Sequence, residues 1–177
     1  LSLSGQRGTD VLLRPIIYGG SRERLKGIAF GSGPGAFTGL RVACGLAQGL
    51  GWALNLPLIP VNTLLALAYV HHETLEEGAR LLAAIDARMH ECYCAVFRYE
   101  NKEFKELTAP ALCKPSELLA IADDNGADFL CGNAFRIYAD EIGNHAPKKL
   151  LSTDDVNAQM IVPLAQKYFE ENKTVDA

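Results

Sequence analysis

The residues best placed to do chemistry lie in Gly31-Ser-Gly-Pro-Gly-Ala-Phe-Thr-Gly-Leu-Arg41, a glycine-rich stretch that leaves the strand-like run Lys26–Gly31 and enters a long uncharged one. Gly31, Gly33 and Gly35 permit backbone conformations and close approaches that a side chain would block. Gly31-x-Gly33-x-x-Ala36 satisfies the dinucleotide fingerprint, in which a pyrophosphate rests on a helix N-terminus. That chemistry also needs an acid about 20 residues further on to hold a ribose. The next strand ends at Val61-Asn62 and the first acid after Arg24 is Glu73, so the dinucleotide reading fails. Gly35-x-x-x-Gly39 leads into Leu40-Arg41 instead of a Lys-Ser/Thr pair, so the stretch is no P-loop either. Gly33, Pro34 and Gly35 are left as a tight turn, with Phe37, Thr38 and Gly39 opening a helix whose free N–H groups could meet an anion.

Other catalytic equipment is sparse. The four histidines are His71, His72, His90 and His145. Adjacent side chains on a helix point about 100° apart, so His71 and His72 cannot form a metal-binding pair, and no metal site is expected. Cys92-x-Cys94 places two thiols on one face of a strand; they read as two buried small hydrophobes, with a metal or redox pair as the alternative. Cys44, Cys113 and Cys131 have no partner in sequence, and no G-x-S-x-G nucleophile turn occurs. Asp86 and Arg88 read as an ion pair or cap at a strand end. No catalytic residue is assigned.

The chain has 177 residues, 49% hydrophobic and 21% charged, which excludes global disorder. Seventeen basic against twenty-one acidic side chains give a net charge of −4, so no overall positive field draws in a polyanion and a stand-alone nucleic-acid binder is disfavoured. An odd, scattered set of five cysteines suits free thiols in a reducing compartment, and the protein is expected to be cytoplasmic. No residue from Val42 to Val70 carries a formal charge, but Asn55, Pro57, Pro60 and Asn62 interrupt the run. Buried helix, strand and helix fit that pattern better than a membrane span.

These residues are positioned by an alternating pattern. The first half predicts a strand at Leu1–Ser4, a helix Thr9–Ile17 with apolar Leu12, Leu13, Ile16 and Ile17, a strand Lys26–Gly31, a helix Phe37–Leu54, a strand Leu56–Val61 and a helix from Asn62. The second predicts strands Leu81–Asp86, Glu91–Tyr99 and Phe104–Leu107, then a helix Ser116–Asp123, a strand Ala127–Cys131, a helix Ala134–Ile142, a strand Lys149–Leu151 and a helix Val156–Asn172. The fold class is α/β, as two similar lobes at 1–78, the partner-binding one, and 79–177.

Within Phe37–Leu54, Leu40, Ala43, Ala47, Leu50 and Leu54 should face the sheet. Arg41, Gly45, Gln48 and Trp52 form a second stripe. A stripe facing bulk water normally carries charge and avoids Trp, so this one reads as a surface covered by another chain, with the other lobe or a loop as the alternative cover.

Gly27–Ala68 (GIAFGSGPGAFTGLRVACGLAQGLGWALNLPLIPVNTLLALA) resembles the signature region of the bacterial TsaB/YeaZ family. The likeness extends through Leu82–Val96, where Asp86-Ala87-Arg88 matches a strand-end motif, and to Leu130–Asn133. The resemblance implies an actin-like (ASKHA) fold of two ribonuclease-H-like lobes. It implies a non-catalytic scaffold for a TsaD-like catalytic subunit, with a TsaE-like ATPase, in threonylcarbamoyl transfer to the adenosine beside the tRNA anticodon. On that reading the interface holds Leu12, Leu13, Ile16, Arg41, Gly45, Gln48 and Trp52, and the chain alone would pair as a homodimer. ATP or ADP and metal would sit on the partners, with no cofactor on this chain, and tRNA would be met only through the complex. The family's opening strand, of the type ILAIDTS, is not present before Leu1, the loop between Gln6 and Thr9 is short, and the family's tail is absent; a first strand is expected to have been lost.

Two other classes compete. An enzyme of the same fold, an ATP-dependent phosphotransferase or a glycoprotease-type metallopeptidase, would need acids at two strand starts, of which only Asp86 is visible. A tRNA-binding module would need an Arg/Lys run with interleaved aromatics.

Overall fold

The computed structural model describes residues 25–145, 147–152 and 154–177. The expected strand Leu1–Ser4 and helix Thr9–Ile17 lie outside them. The chain separates into two compact units, one running up to Val61 and taking in Asn157–Ala177, the other Asn62–Val156. This division departs from the expected lobes 1–78 and 79–177 at both ends. The periodicity of a helix shows that one face is buried but not on which unit, and two helices fall on the other side of the expected break.

In the first unit, β1 (Ile28–Gly33) pairs with β2 (Leu58–Asn62), and the connection between them is α1 (Phe37–Leu54). Ile28 and Phe30 from β1, Leu58 from β2 and Ala47 from α1 form its core, with Cys44, Leu50 and Leu56 at the margin. Gly51 lets α1 approach the strand: a Cβ there would lie 2.6 Å from Leu58 Cδ2 and 2.8 Å from Ala177 Cβ. Asn55 then ends the helix in the left-handed region at φ 53°, and Leu56 N–H donates back to the Gly51 carbonyl at 2.9 Å. The final helix, α6 (Ala158–Glu170), packs on β1, and beyond it Val175 exchanges two backbone hydrogen bonds of 2.9 Å with Leu58.

The second unit is built on one sheet. β3 (Arg80–Arg88), β4 (Glu91–Glu100) and β5 (Glu103–Glu106) are antiparallel neighbours, while β7 (Phe129–Cys131) and β8 (Lys149–Ser152) continue it in parallel beyond β3. The order is β5-β4-β3-β7-β8. A further strand, β6 (Ala111–Cys113), pairs with β4 along its outer edge, beside Cys92–Cys94. The sequence pattern assigns no element to that segment.

β3 reads as the unbroken apolar run Leu81–Ile85 because it is covered on both faces. Leu82 and Ala84 join Cys92, Cys94, Val96, Leu118, Leu130 and Phe135 in one core cluster. α2 (Thr63–Tyr69), capped by the Asn62 side chain accepting from Leu65 N–H at 3.0 Å, packs against β3 and β4 with Leu64 and Leu67 fully buried. α3 is Leu118–Asp124; the single helix expected over Ala134–Ile142 is two short turns, α4 (Ala134–Ile137) and α5 (Ala139–Ile142), broken at Tyr138. Tyr138 leaves helical geometry at φ −113°, ψ 28°, and its hydroxyl reaches back to β3.

Candidate functional site

β1 extends through Gly33 and delivers the glycine-rich turn directly to α1. Gly33 has φ +104°, a backbone that favours glycine, and a Cβ on it would press on Leu40 at 3.2 Å. The turn therefore sets the Leu40 side chain of α1 against the strand end. Ala36 is the N-cap and supplies no side-chain hydrogen bond.

The inward face of α1 buries Ala43, Ala47 and Gly51, with Leu40, Leu50 and Leu54 half-buried. Its outward face carries Phe37, Arg41, Gly45, Gln48 and Trp52 in one line of successive turns, all exposed. Beside that line stand Val42 and Leu46. Fractional exposure is 82% at Trp52, 67% at Phe37, 51% at Leu46 and 49% at Val42, so this face presents large apolar side chains to solvent. Its one formal charge, Arg41, is stacked with its guanidinium carbon 3.8 Å from the Phe37 ring centroid. Gly45 and Gly49 would meet nothing within 4 Å if they bore a Cβ, so the face is open at both.

A second cluster lies at the end of β3. Asp86 Oδ1 accepts from the Tyr138 hydroxyl at 2.7 Å and from Arg88 N–H at 3.0 Å, and Oδ2 lies 3.7 Å from Arg88 Nε. Asp86 N–H donates to Asn133 Oδ1 at 2.8 Å, and Asn133 Nδ2 donates to Asp155 at 2.7 Å, where Arg136 also binds. His90 Nε2 and Glu141 are 2.6 Å apart, and the His90 ring meets Tyr138 edge-on at 5.2 Å. Both oxygens of Asp86 thus serve the strand end, which makes Asp86 and Arg88 the cap and ion pair that their spacing suggests. His71 Nε2 shares a 3.0 Å hydrogen bond with Ser152 Oγ, tying the turn after α2 to the end of β8. Burial lowers the His71 pKa against the opposing pull of Asp154. Among the described residues, no group of three or more His, Cys, Asp and Glu could hold a metal ion. No helix of the described residues is long and apolar enough to cross a membrane.

The hydrogen bond to Asp86 first, then burial, pushes the Tyr138 hydroxyl up to about 12 from 10.0. A proton held more tightly in the folded state stabilises the fold below pH 10 and ceases to do so as pH rises through 12. Between those limits Tyr138→Phe should lose less stability with rising pH than the wild type, as read by denaturant midpoints. An ordinary Tyr138 titration by phenolate absorbance would contradict this.

A family model described as "TsaD: tRNA N6-adenosine threonylcarbamoyltransferase" matches residues 18–172. The chain is 32% identical to the tRNA threonylcarbamoyladenosine biosynthesis protein TsaB of Haemophilus influenzae over 165 residues, which are 88% of this chain and 67% of that one. It is 34% identical to TsaB of Escherichia coli K12 over 162 residues, covering 89% and 69%. The solved structure of YeaZ from Pseudomonas aeruginosa superposes with a TM-score of 0.72 at 30% identity, over 88% of this chain and 72% of that one.

The chain belongs to the TsaB/YeaZ family.

Membership gives the mixed α/β fold its relatives. It also accounts for the resemblance over Gly27–Ala68, which contains β1, the glycine-rich turn, α1, β2 and most of α2. Of the site residues read from the sequence, Gly33, Pro34, Gly35, Phe37, Thr38 and Gly39 form the turn and the start of α1. Arg41, Gly45, Gln48 and Trp52 share the exposed face, while Leu12, Leu13 and Ile16 lie outside the described residues. Phe37, read from the sequence as part of the signature turn, also joins that face, and Val42 and Leu46 enlarge it; the apolar character of the whole Phe37–Leu54 run is the signal that finds these two. Tyr138 had no such signal, since it sits in an ordinary apolar segment and meets Asp86 across 52 residues of chain.

Proposed function

We propose that this chain is a non-catalytic scaffold subunit that works in tRNA threonylcarbamoyladenosine biosynthesis by docking the exposed face of α1 on a TsaD-like catalytic subunit. The pathway follows from the family and from the names its relatives carry. The single observation that supports docking is the line Phe37, Arg41, Gly45, Gln48 and Trp52, large and apolar at both ends, small in the middle and with one stacked charge. In this reading the chain is cytoplasmic, pairs with a second copy of itself when alone, and meets tRNA through the assembly. It binds neither nucleotide nor metal, which belong to the catalytic subunit and a TsaE-like ATPase. The fold in this reading is actin-like. What supports a ribonuclease-H-type lobe is the second unit's order β5-β4-β3-β7-β8, with three antiparallel strands followed by two parallel ones.

The test is reconstitution. The purified chain, the catalytic subunit and the ATPase are combined with tRNA and the threonylcarbamoyl donor, and modified adenosine is quantified. Modification should need both this chain and the catalytic subunit, and Arg41→Glu should abolish it together with co-purification. Equal modification without this chain, or modification by this chain alone, would refute the scaffold role.

A further inference from the structure

The glycine-rich turn and the α1 face do not use the cysteines of the second unit, and three of these lie together. Cys92 and Cys94 project from one face of β4, and Cys113 is the register partner of Cys92 on β6. The Cys113 thiol lies 3.5 Å from the Cys94 sulfur and 3.6 Å from the Cys92 carbonyl oxygen. We propose that Cys94 and Cys113 form a redox-responsive dithiol site that a hydroperoxide converts to an intramolecular disulfide.

The geometry supplies what such a site needs. The two sulfurs are in contact across neighbouring strands, and closing them to the bonded distance of about 2.05 Å takes a shift of about 1.5 Å. The strand that must shift is three residues long, pairs with β4 alone among the described strands, and exposes Ala111 and Leu112. Short edge strands are the parts of a sheet that open locally. Opening admits a molecule the size of hydrogen peroxide to Cys94, and reclosure presents Cys113 to the oxidised sulfur. The Cys113 S–H hydrogen bond lowers the pKa of Cys94, overcoming burial, and that same shared proton raises Cys113. When Cys113 holds the shared proton, Cys94 is the attacking sulfur and Cys113 the resolving one. Burial pushes Cys92 up to about 12 and also raises the fully buried Cys131, which keeps both as thiols.

The chemistry balances in two steps. The Cys94 thiolate attacks one peroxide oxygen, the O–O bond breaks, and the departing hydroxide takes a proton to leave as water, giving a sulfenic acid. The Cys113 sulfur then attacks the Cys94 sulfur and displaces hydroxide, which leaves as a second water with the thiol proton. Two electrons pass from the two sulfurs to the peroxide.

The test uses the full chain, reduced, freed of reductant and treated with hydrogen peroxide. Intact mass should fall by two hydrogen atoms, titratable thiols should fall from five to three, and reductant should restore both. Fragmentation of the unreduced digest should place the link between Cys94 and Cys113. The link should persist in Cys92→Ala and vanish in Cys94→Ser and in Cys113→Ser, with each variant's fold checked by its melting curve. Oxygen adducts without loss of hydrogen, a link that disappears in Cys92→Ala, or one that survives in Cys94→Ser would overturn the proposal. The wild-type mass result stands even if a variant fails to fold.

Discussion

Gly132→Ala is expected to cost on the order of 4 kcal/mol of stability, a large share of the about 5–15 kcal/mol that typical domains hold in all. Gly132 follows β7 at φ +114°, where an L side chain is strained, and a Cβ there would collide with the Ala84 carbonyl oxygen and lie 2.9 Å from Leu67 Cδ2. The first of these neighbours is the backbone of the central strand, which no rotamer change can move aside. Displacing Gly132 also pulls its N–H from the Ser152 carbonyl, at 2.9 Å, and carries with it Asn133, which accepts from Asp86 N–H at 2.8 Å. Strain, overpacking and two lost hydrogen bonds therefore act at one point, where β3, β7 and β8 meet. Gly78→Ala separates these causes, because Gly78 has φ +86° but nothing within 4 Å of its Cβ position. It should cost only the backbone term, about 1–2 kcal/mol. Denaturant melts of the two variants decide the matter; equal midpoints would mean that the β3–β7 approach is not tight.

The parts of this architecture legible in the sequence are those written in local periodicity. The helix Phe37–Leu54 was expected at its observed bounds, because a charge-free run with apolar i, i+3, i+7 spacing lies between a glycine turn and the Asn55-x-Pro57 break. Strands β3, β4 and β7 were equally visible, since doubly covered strands read as continuous apolar runs. β6 was not, because three residues between Pro110 and Pro115 carry no period; with it went the partner of Cys94, which is 19 residues away and adjacent only once β6 folds back on β4. The allocation of α2 and α6 to units was equally hidden. Either helix shows an apolar face, but the surface that receives it is a long-range fact, for α6 the strand β1 at the other end of the chain. The same holds for Tyr138, whose departure from helical geometry is set by a carboxylate on β3 and by nothing nearby in sequence.

On the proposed scaffold reading, Trp52→Glu should weaken docking of the catalytic subunit at least 100-fold while leaving the melting temperature of the free chain unchanged. The two halves of that expectation have one cause. Trp52 is 82% exposed in the chain, so its removal empties no core and costs the fold within about 0.5 kcal/mol. In a dry contact the same side chain is the type that most often dominates binding, with truncation of such an anchor costing about 2–4 kcal/mol, or roughly 30- to 1,000-fold. A carboxylate adds the expense of burying an unpaired charge beside an α1 face that offers it only Arg41, and that guanidinium is occupied with Phe37. Trp52→Ala should therefore fall short of Trp52→Glu, and raising salt should do little to either, since an interface with one formal charge on this side draws little from long-range attraction. Met89, 92% exposed in the second unit, provides the matching control: Met89→Glu introduces the same charge at an equally accessible residue and should leave affinity intact. Affinity lost equally in both variants would indicate a general charge effect, and affinity lost in neither would place the partner elsewhere on the molecule.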